Sequence, residues 1–177
     1  MRKPPDHVAA VGRLDAALRR IGLEPILVGG MALVVLGSRR VTRDFDFVVA
    51  APGDRFPELV DVLYDHGLEL VSRLDSDGNV AATIATRGVA SGRLRIDRPE
   101  TAYFYDPHSG LRIDLLFDFP VPAATLAERA VRVRMGAHIL HMAGERDLLE
   151  LKKIAAANRS APGDAEDLAF LERRLRG

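Results

Sequence analysis

The sequence contains no cysteine, its 25 Lys and Arg residues are balanced by 25 Asp and Glu, and no apolar run is long enough to span a bilayer. Each absence removes a class of explanation. Without thiols there are no disulfide frameworks, thiolate zinc sites or cysteine nucleophiles, and a reducing cytoplasm is the expected compartment. A net charge of zero asks for neither a nucleic acid nor an anionic membrane, so any basic patch has to be local. The longest nearly uncharged stretch, Pro25 to Ser38, falls short of the roughly 20 residues of a transmembrane helix and is interrupted by Gly29, Gly30 and Gly37. The opening residues, Met1 to His7, place prolines and an acid where an export signal needs its apolar stretch, so neither export nor membrane attachment is expected.

What is present suffices for one core. The chain has 177 residues, 47% of them hydrophobic and 28% charged, which suits a single soluble domain and excludes disorder. Val8, Val11, Leu14, Ala17, Leu18 and Ile21 recur at helical spacing before Gly22. Pro25 to Val28 then reads as a short strand, Gly29-Gly30 as a turn, and Met31 to Leu36 as a buried helix. Arg43 to Val49 alternates with the period of a strand, Asp44, Asp46 and Val48 on one side and Phe45, Phe47 and Val49 on the other. Pro57 to His66 has helical spacing, and short strands are expected at Leu68 to Val71, Val80 to Thr86 and Thr101 to Tyr105. A further strand, Leu111 to Phe119, carries Arg112, Asp114, Leu116 and Asp118 on one face. The basic run Arg87, Arg93, Arg95 and Arg98 reads as a solvated strand face, and Asp75-Ser76-Asp77-Gly78-Asn79 as a hairpin turn. Two helices follow, from Glu145 to Ala157 and from an apparent capping box at Asp164 to Asp167. The expected architecture is α/β (α+β): a mixed β-sheet flanked by helices over residues 1–122, with a C-terminal helical pair over 123–177 packed on that core.

The chemistry concentrates between Val28 and Asp46. Carboxylates at i and i+2 of a strand share a face with backbones about 7 Å apart, close enough for their oxygens to converge on shared cations. Magnesium is the natural partner, since it prefers hard oxygen ligands and commonly takes one or two carboxylates plus substrate phosphates. Asp114, on a separate strand, supplies a third carboxylate, and two ions about 4 Å apart stabilise the attacking and leaving oxygens of an in-line phosphoryl displacement. Asp118 competes with Asp114 for that role; the Leu115-Leu116 that follows favours Asp114. Gly29 and Gly30, lacking side chains, would let a triphosphate approach the backbone amides that open the next helix. The five histidines show no metal-ligand spacing beyond His138-x-x-His141, whose members would point to opposite faces of a strand.

In this order the motifs resemble those of the nucleotidyltransferases of the DNA polymerase β-like superfamily: an apolar strand, Gly-Gly, a helix, Asp-x-Asp, then a later single aspartate. Within it, Gly29-Gly30-x-Ala32, the Gly37-x-x-Arg40-x-Thr42-x-Asp44-x-Asp46 run and Asp147-Leu-Leu-Glu-Leu-Lys152 are similar to the bacterial AbiEii-type branch, which includes toxins of toxin–antitoxin pairs. The resemblance implies that Asp44, Asp46 and Asp114 are catalytic and bind magnesium, two ions in all. It also implies that Gly29, Gly30, Arg40, Thr42 and Lys152 contact the nucleotide, with Lys152 reaching its phosphates. Arg159 and Asp164 lie farther along than that pattern has them.

The implied activity is transfer of a nucleoside monophosphate from an NTP to an acceptor hydroxyl, with release of pyrophosphate. Acceptors to expect are RNA, a tRNA 3′ end or a protein, with a cognate antitoxin as a possible partner. An aminoglycoside- or lincosamide-type antibiotic is the alternative acceptor, and a non-catalytic, antitoxin-like nucleotide-binding module is the alternative of another class.

Overall fold

A computed structural model describes residues 3–159 and 161–177; Met1 and Arg2, which open the segment read as lacking an export signal, lie outside the described residues. Helix α1 (His7–Arg20) starts where the Asp6 carboxylate accepts the Ala9 amide at 3.0 Å and buries Val11, Leu14 and Leu18 on one stripe. Strand β1 (Ile26–Val28) is wholly buried and runs directly into helix α2 (Gly29–Val35). Strand β2 (Asp44–Val49) buries Phe45 and Phe47, as its alternation demands, and leaves Asp44 and Asp46 on the other face.

Helix α3 (Phe56–Asp65) crosses to the hairpin of β3 (Glu69–Leu74) and β4 (Val80–Ile84). The turn between them is the one its sequence announces, with the Asp75 carboxylate accepting the amides of Asp77 and Asn79 at 2.9 Å each. Helix α4 (Arg87–Asp97), strands β5 (Thr101–Tyr105) and β6 (Arg112–Phe117), and helix α5 (Ala123–Ala127) come next. The hairpin of β7 (Val131–Met135) and β8 (His138–Met142) precedes the last two helices, α6 (Glu145–Asn158) and α7 (Asp164–Arg176). The strands form one eight-stranded sheet in the order β4-β3-β5-β6-β2-β1-β8-β7. Two neighbouring pairs are parallel, β2 with β6 and β1 with β8, and the rest are antiparallel. Among the described residues no helix is long and apolar enough to cross a membrane.

Several elements differ from the sequence reading. The arginines of residues 87–98 sit on helix α4 rather than a strand, because Ala90 and Leu94, one turn apart, are buried and α4 packs on α3. Arg87 bridges Asp61 and Asp65 of α3 at 3.2 and 2.9 Å. Beyond residue 122 the sequence suggests only helices, yet β7 and β8 extend the sheet there, with Leu27 of β1 level with Met142 and its carbonyl accepting the Ala143 amide at 3.0 Å. Leu140 and Met142 fill the core while Arg132 and Arg134 of the outer strand stay exposed.

Asp118 falls outside the site. It lies past the end of β6 with a left-handed backbone (φ 50°), and its carboxylate accepts the amides of Ala51 and Ala123 at 2.9 and 2.8 Å, fastening the strand end. Asp164 and Asp167 do not form a capping box either. The helix is capped by Gly163 without a side-chain bond, and both acids turn inward toward a buried lysine.

Candidate active site

The carboxylates are assembled by strand pairing. β2 and β6 lie side by side and parallel, with Asp46 level with Asp114 and Asp44 level with Arg112. Adjacent strands are about 4.8 Å apart, so level residues on one face are in side-chain contact. Asp46 and Asp114 are therefore side-by-side carboxylates on neighbouring strands. Burial raises Asp46 well above the ordinary carboxylate range, and the nearby charges of Asp114 and Asp44 push the same way; burial raises Asp114 too, against the opposing pull of Arg112. Asp44 is the open member, its side chain 43% exposed against 13% for Asp114.

Gly29 closes the site from above. A Cβ there would lie 2.2 Å from Asp46 Oδ2, and its φ of +68° favours glycine, so the start of α2 meets the carboxylate only because the side chain is missing. At Gly30 a Cβ would approach the Arg40 guanidinium at 3.0 Å, so the arginine lies flat on the same helix start.

On the other wall, Lys152 Nζ is held by Asp164 at 3.2 Å and Asp167 at 2.9 Å, and Arg40 pairs with the same Asp167 oxygen. Lys152 is 9% and Asp167 6% exposed at the side chain, so the bridge is buried. It fastens α7 to α6 and to the loop before β2. Breaking a buried pair leaves an uncompensated charge, and Asp167→Ala should cost about 3 kcal/mol of stability in urea unfolding. A loss below about 1 kcal/mol would mean that the bridge does not hold α7.

One cleft of about 620 Å³ is lined by Gly29, Gly30, Arg40, Thr42, Asp44, Asp46, Asp114 and Lys152, every site residue expected from sequence. Three neighbours escaped that reading. Arg112 and Tyr103 line the cleft, and Asp167 anchors Arg40 and Lys152. The signal for Arg112 was its shared face with Asp114; Asp167 gave none beyond an acidic helix start.

The donor set fits a divalent cation. It is all hard carboxylate oxygen, two members lie level on neighbouring strands, and a side chain at Gly29 would collide with one of them. Among the described residues, however, no three such side chains are gathered closely enough to form a metal cage.

No family model matches the chain, and no curated protein matches it. Solved structures do. The antibiotic-resistance factor ANT(2″)-Ia superposes with a TM-score of 0.60 at 13% identity, over 95% of this chain and 83% of that one. The lincosamide antibiotic adenylyltransferase LnuA, bound to lincomycin, gives 0.57 at 10% identity over 97% and 98%. A nucleotidyltransferase-like protein from Paracoccidioides brasiliensis gives 0.59 at 13% identity over 93% and 74%. The fold is that of the nucleotidyltransferases: a mixed sheet flanked by helices, closed by a C-terminal helical pair.

Proposed function

We propose that this protein is a magnesium-dependent nucleotidyltransferase that moves a nucleoside monophosphate from an NTP to an acceptor hydroxyl. The observation that carries the reading is the level pairing of Asp46 with Asp114, beside Asp44 and beneath Gly29, at the wall of one cleft. Asp44, Asp46 and Asp114 hold the ions. Bound magnesium, two ions in the full arrangement, supplies charge stabilisation for the attacking and leaving oxygens of the displacement.

The residues of the chain do the rest. Asp114 accepts the proton of the attacking hydroxyl, a role suited by a carboxyl whose proton affinity burial has raised. The new bond joins the acceptor oxygen to the α-phosphorus, the bond from that phosphorus to the bridging oxygen breaks, and pyrophosphate departs. Gly29 and Gly30 let the triphosphate lie against backbone amides, while Lys152, Arg40 and Thr42, which line the same cleft, contact it.

For the acceptor, the sequence resemblance supports RNA, tRNA or a protein, in a toxin-type enzyme with a cognate antitoxin. A second reading, an antibiotic acceptor, is supported by the likeness to ANT(2″)-Ia and LnuA and by the absence of net positive charge. The test is incubation with each labelled NTP and magnesium against separate pools of tRNA, protein extract and antibiotics. Label is expected in one pool and in none with Asp46→Asn. If calorimetry shows NTP binding while no pool is labelled, the protein is a non-catalytic nucleotide-binding module instead.

A further inference from the structure

Arg112 stands where the carboxylates would otherwise face one another unscreened. It precedes Asp114 by two residues on β6 and lies level with Asp44 on β2, so one guanidinium serves both acids. Its Nε is 3.3 Å from Asp114 Oδ1 and 4.0 Å from Asp44 Oδ2. The side chain is only 20% exposed, and an arginine stays charged at any working pH, so this is a fixed positive charge inside the acid cluster. Its far end is tethered independently. Nη1 donates to the Gly78 carbonyl in the β3–β4 turn at 3.1 Å, and the guanidinium carbon lies 5.0 Å from the centre of the Tyr103 ring.

A divalent cation and this guanidinium would compete for the same carboxylate lone pairs. We propose that Arg112 is a built-in counter-cation: it offsets part of the negative charge of the acid cluster before loading, gives up Asp114 and Asp44 when a divalent ion binds, and so sets metal affinity. The proposal rests on the reading of these acids as metal ligands. The Gly78 carbonyl and the Tyr103 ring make the exchange inexpensive, because the released guanidinium keeps partners that are not carboxylates. It also accounts for an acid cluster that is closely packed without forming a cage: one of its corners is already taken by an arginine. Arg112 is thus a positioning residue, outside the transfer step itself.

The test is Mn²⁺ binding to the full chain without nucleotide, by calorimetry or by the electron paramagnetic resonance of free Mn²⁺. Arg112→Gln is expected to bind about tenfold more tightly than wild type, and Arg112→Lys, which keeps the charge, within about threefold of it. In EDTA, Arg112→Gln should melt below wild type and gain more from added Mn²⁺. Should that variant fail to fold, wild type still decides: the Arg112 Nε–H resonance should shift on Mg²⁺ titration with the midpoint of binding. Equal or weaker Mn²⁺ binding by Arg112→Gln, or an unmoved resonance while Mg²⁺ binds, overturns the proposal and leaves the metal reading standing. Absence of Mn²⁺ binding in wild type and both variants overturns the metal reading and the proposal with it.

Discussion

Asp46→Asn is expected to abolish nucleotidyl transfer while leaving the metal-free protein as stable as wild type, or more so. The side chain is the hub of the cluster: it lies level with Asp114, shares a strand face with Asp44, and packs against the start of α2 at Gly29. An amide cannot supply the anionic oxygen that a magnesium ion requires, and losing about 4 kcal/mol of transition-state stabilisation is a thousandfold loss of rate. Stability should move the other way. Burial, Asp114 and Asp44 all raise the Asp46 carboxyl above its ordinary value of 3.8. The folded state therefore binds this proton more tightly than the unfolded chain does. Its contribution to stability is complete below the unfolded value and is lost as pH rises through the raised folded one. Asparagine does not titrate, so the advantage of the variant in EDTA should widen with pH. Urea unfolding at about pH 5 and about pH 8 reads it directly. Added magnesium should stabilise wild type and leave the variant unchanged. A variant that keeps its turnover, or one that is the less stable protein in EDTA at about pH 8, contradicts this account.

Local periodicity carried much of this site, and pairing carried what it could not. Asp44 and Asp46 were legible because alternation with Phe45 and Phe47 puts them on one face of any strand, and Asp114 followed from the same argument on its own strand. Nothing local says that β2 and β6 are parallel neighbours with Asp46 level with Asp114, since that register depends on the whole strand order. The level position that makes Arg112 a partner of Asp44 is hidden for the same reason. Asp164 and Asp167 look like a helix start because acids favour that position, and only the packing of α7 on α6 turns them toward Lys152. The β7–β8 hairpin is masked by its arginines, which keep the outermost strand half polar. In α4, the glycines at 88 and 92 dilute a helical signal that reduces to Ala90 and Leu94.

Gly29→Ala should be strongly damaging, because two independent costs fall on one residue. The backbone there has φ +68°, a conformation that costs a side-chain-bearing residue about 1–2 kcal/mol. The new Cβ would also lie 2.2 Å from Asp46 Oδ2 and 3.0 Å from its Cγ. The carboxyl cannot retreat freely, since Asp114 lies level with it on the next strand. Two controls separate the costs. Gly37 has φ +100° with nothing near its missing Cβ, so Gly37→Ala incurs the backbone cost alone. Gly30→Ala meets only the flexible end of Arg40, so it incurs a mild steric cost and no strain. By urea unfolding, Gly29→Ala should lose about 2–4 kcal/mol, Gly37→Ala about 1 and Gly30→Ala less than that. Mn²⁺ binding should follow a different order: Gly29→Ala weakens it by at least about tenfold, while Gly37→Ala leaves it intact, because only Gly29 touches a ligand oxygen. If Gly29→Ala and Gly37→Ala lose the same stability and bind Mn²⁺ alike, the close approach of α2 to Asp46 has no part in shaping the site, and Gly29 is an ordinary turn glycine.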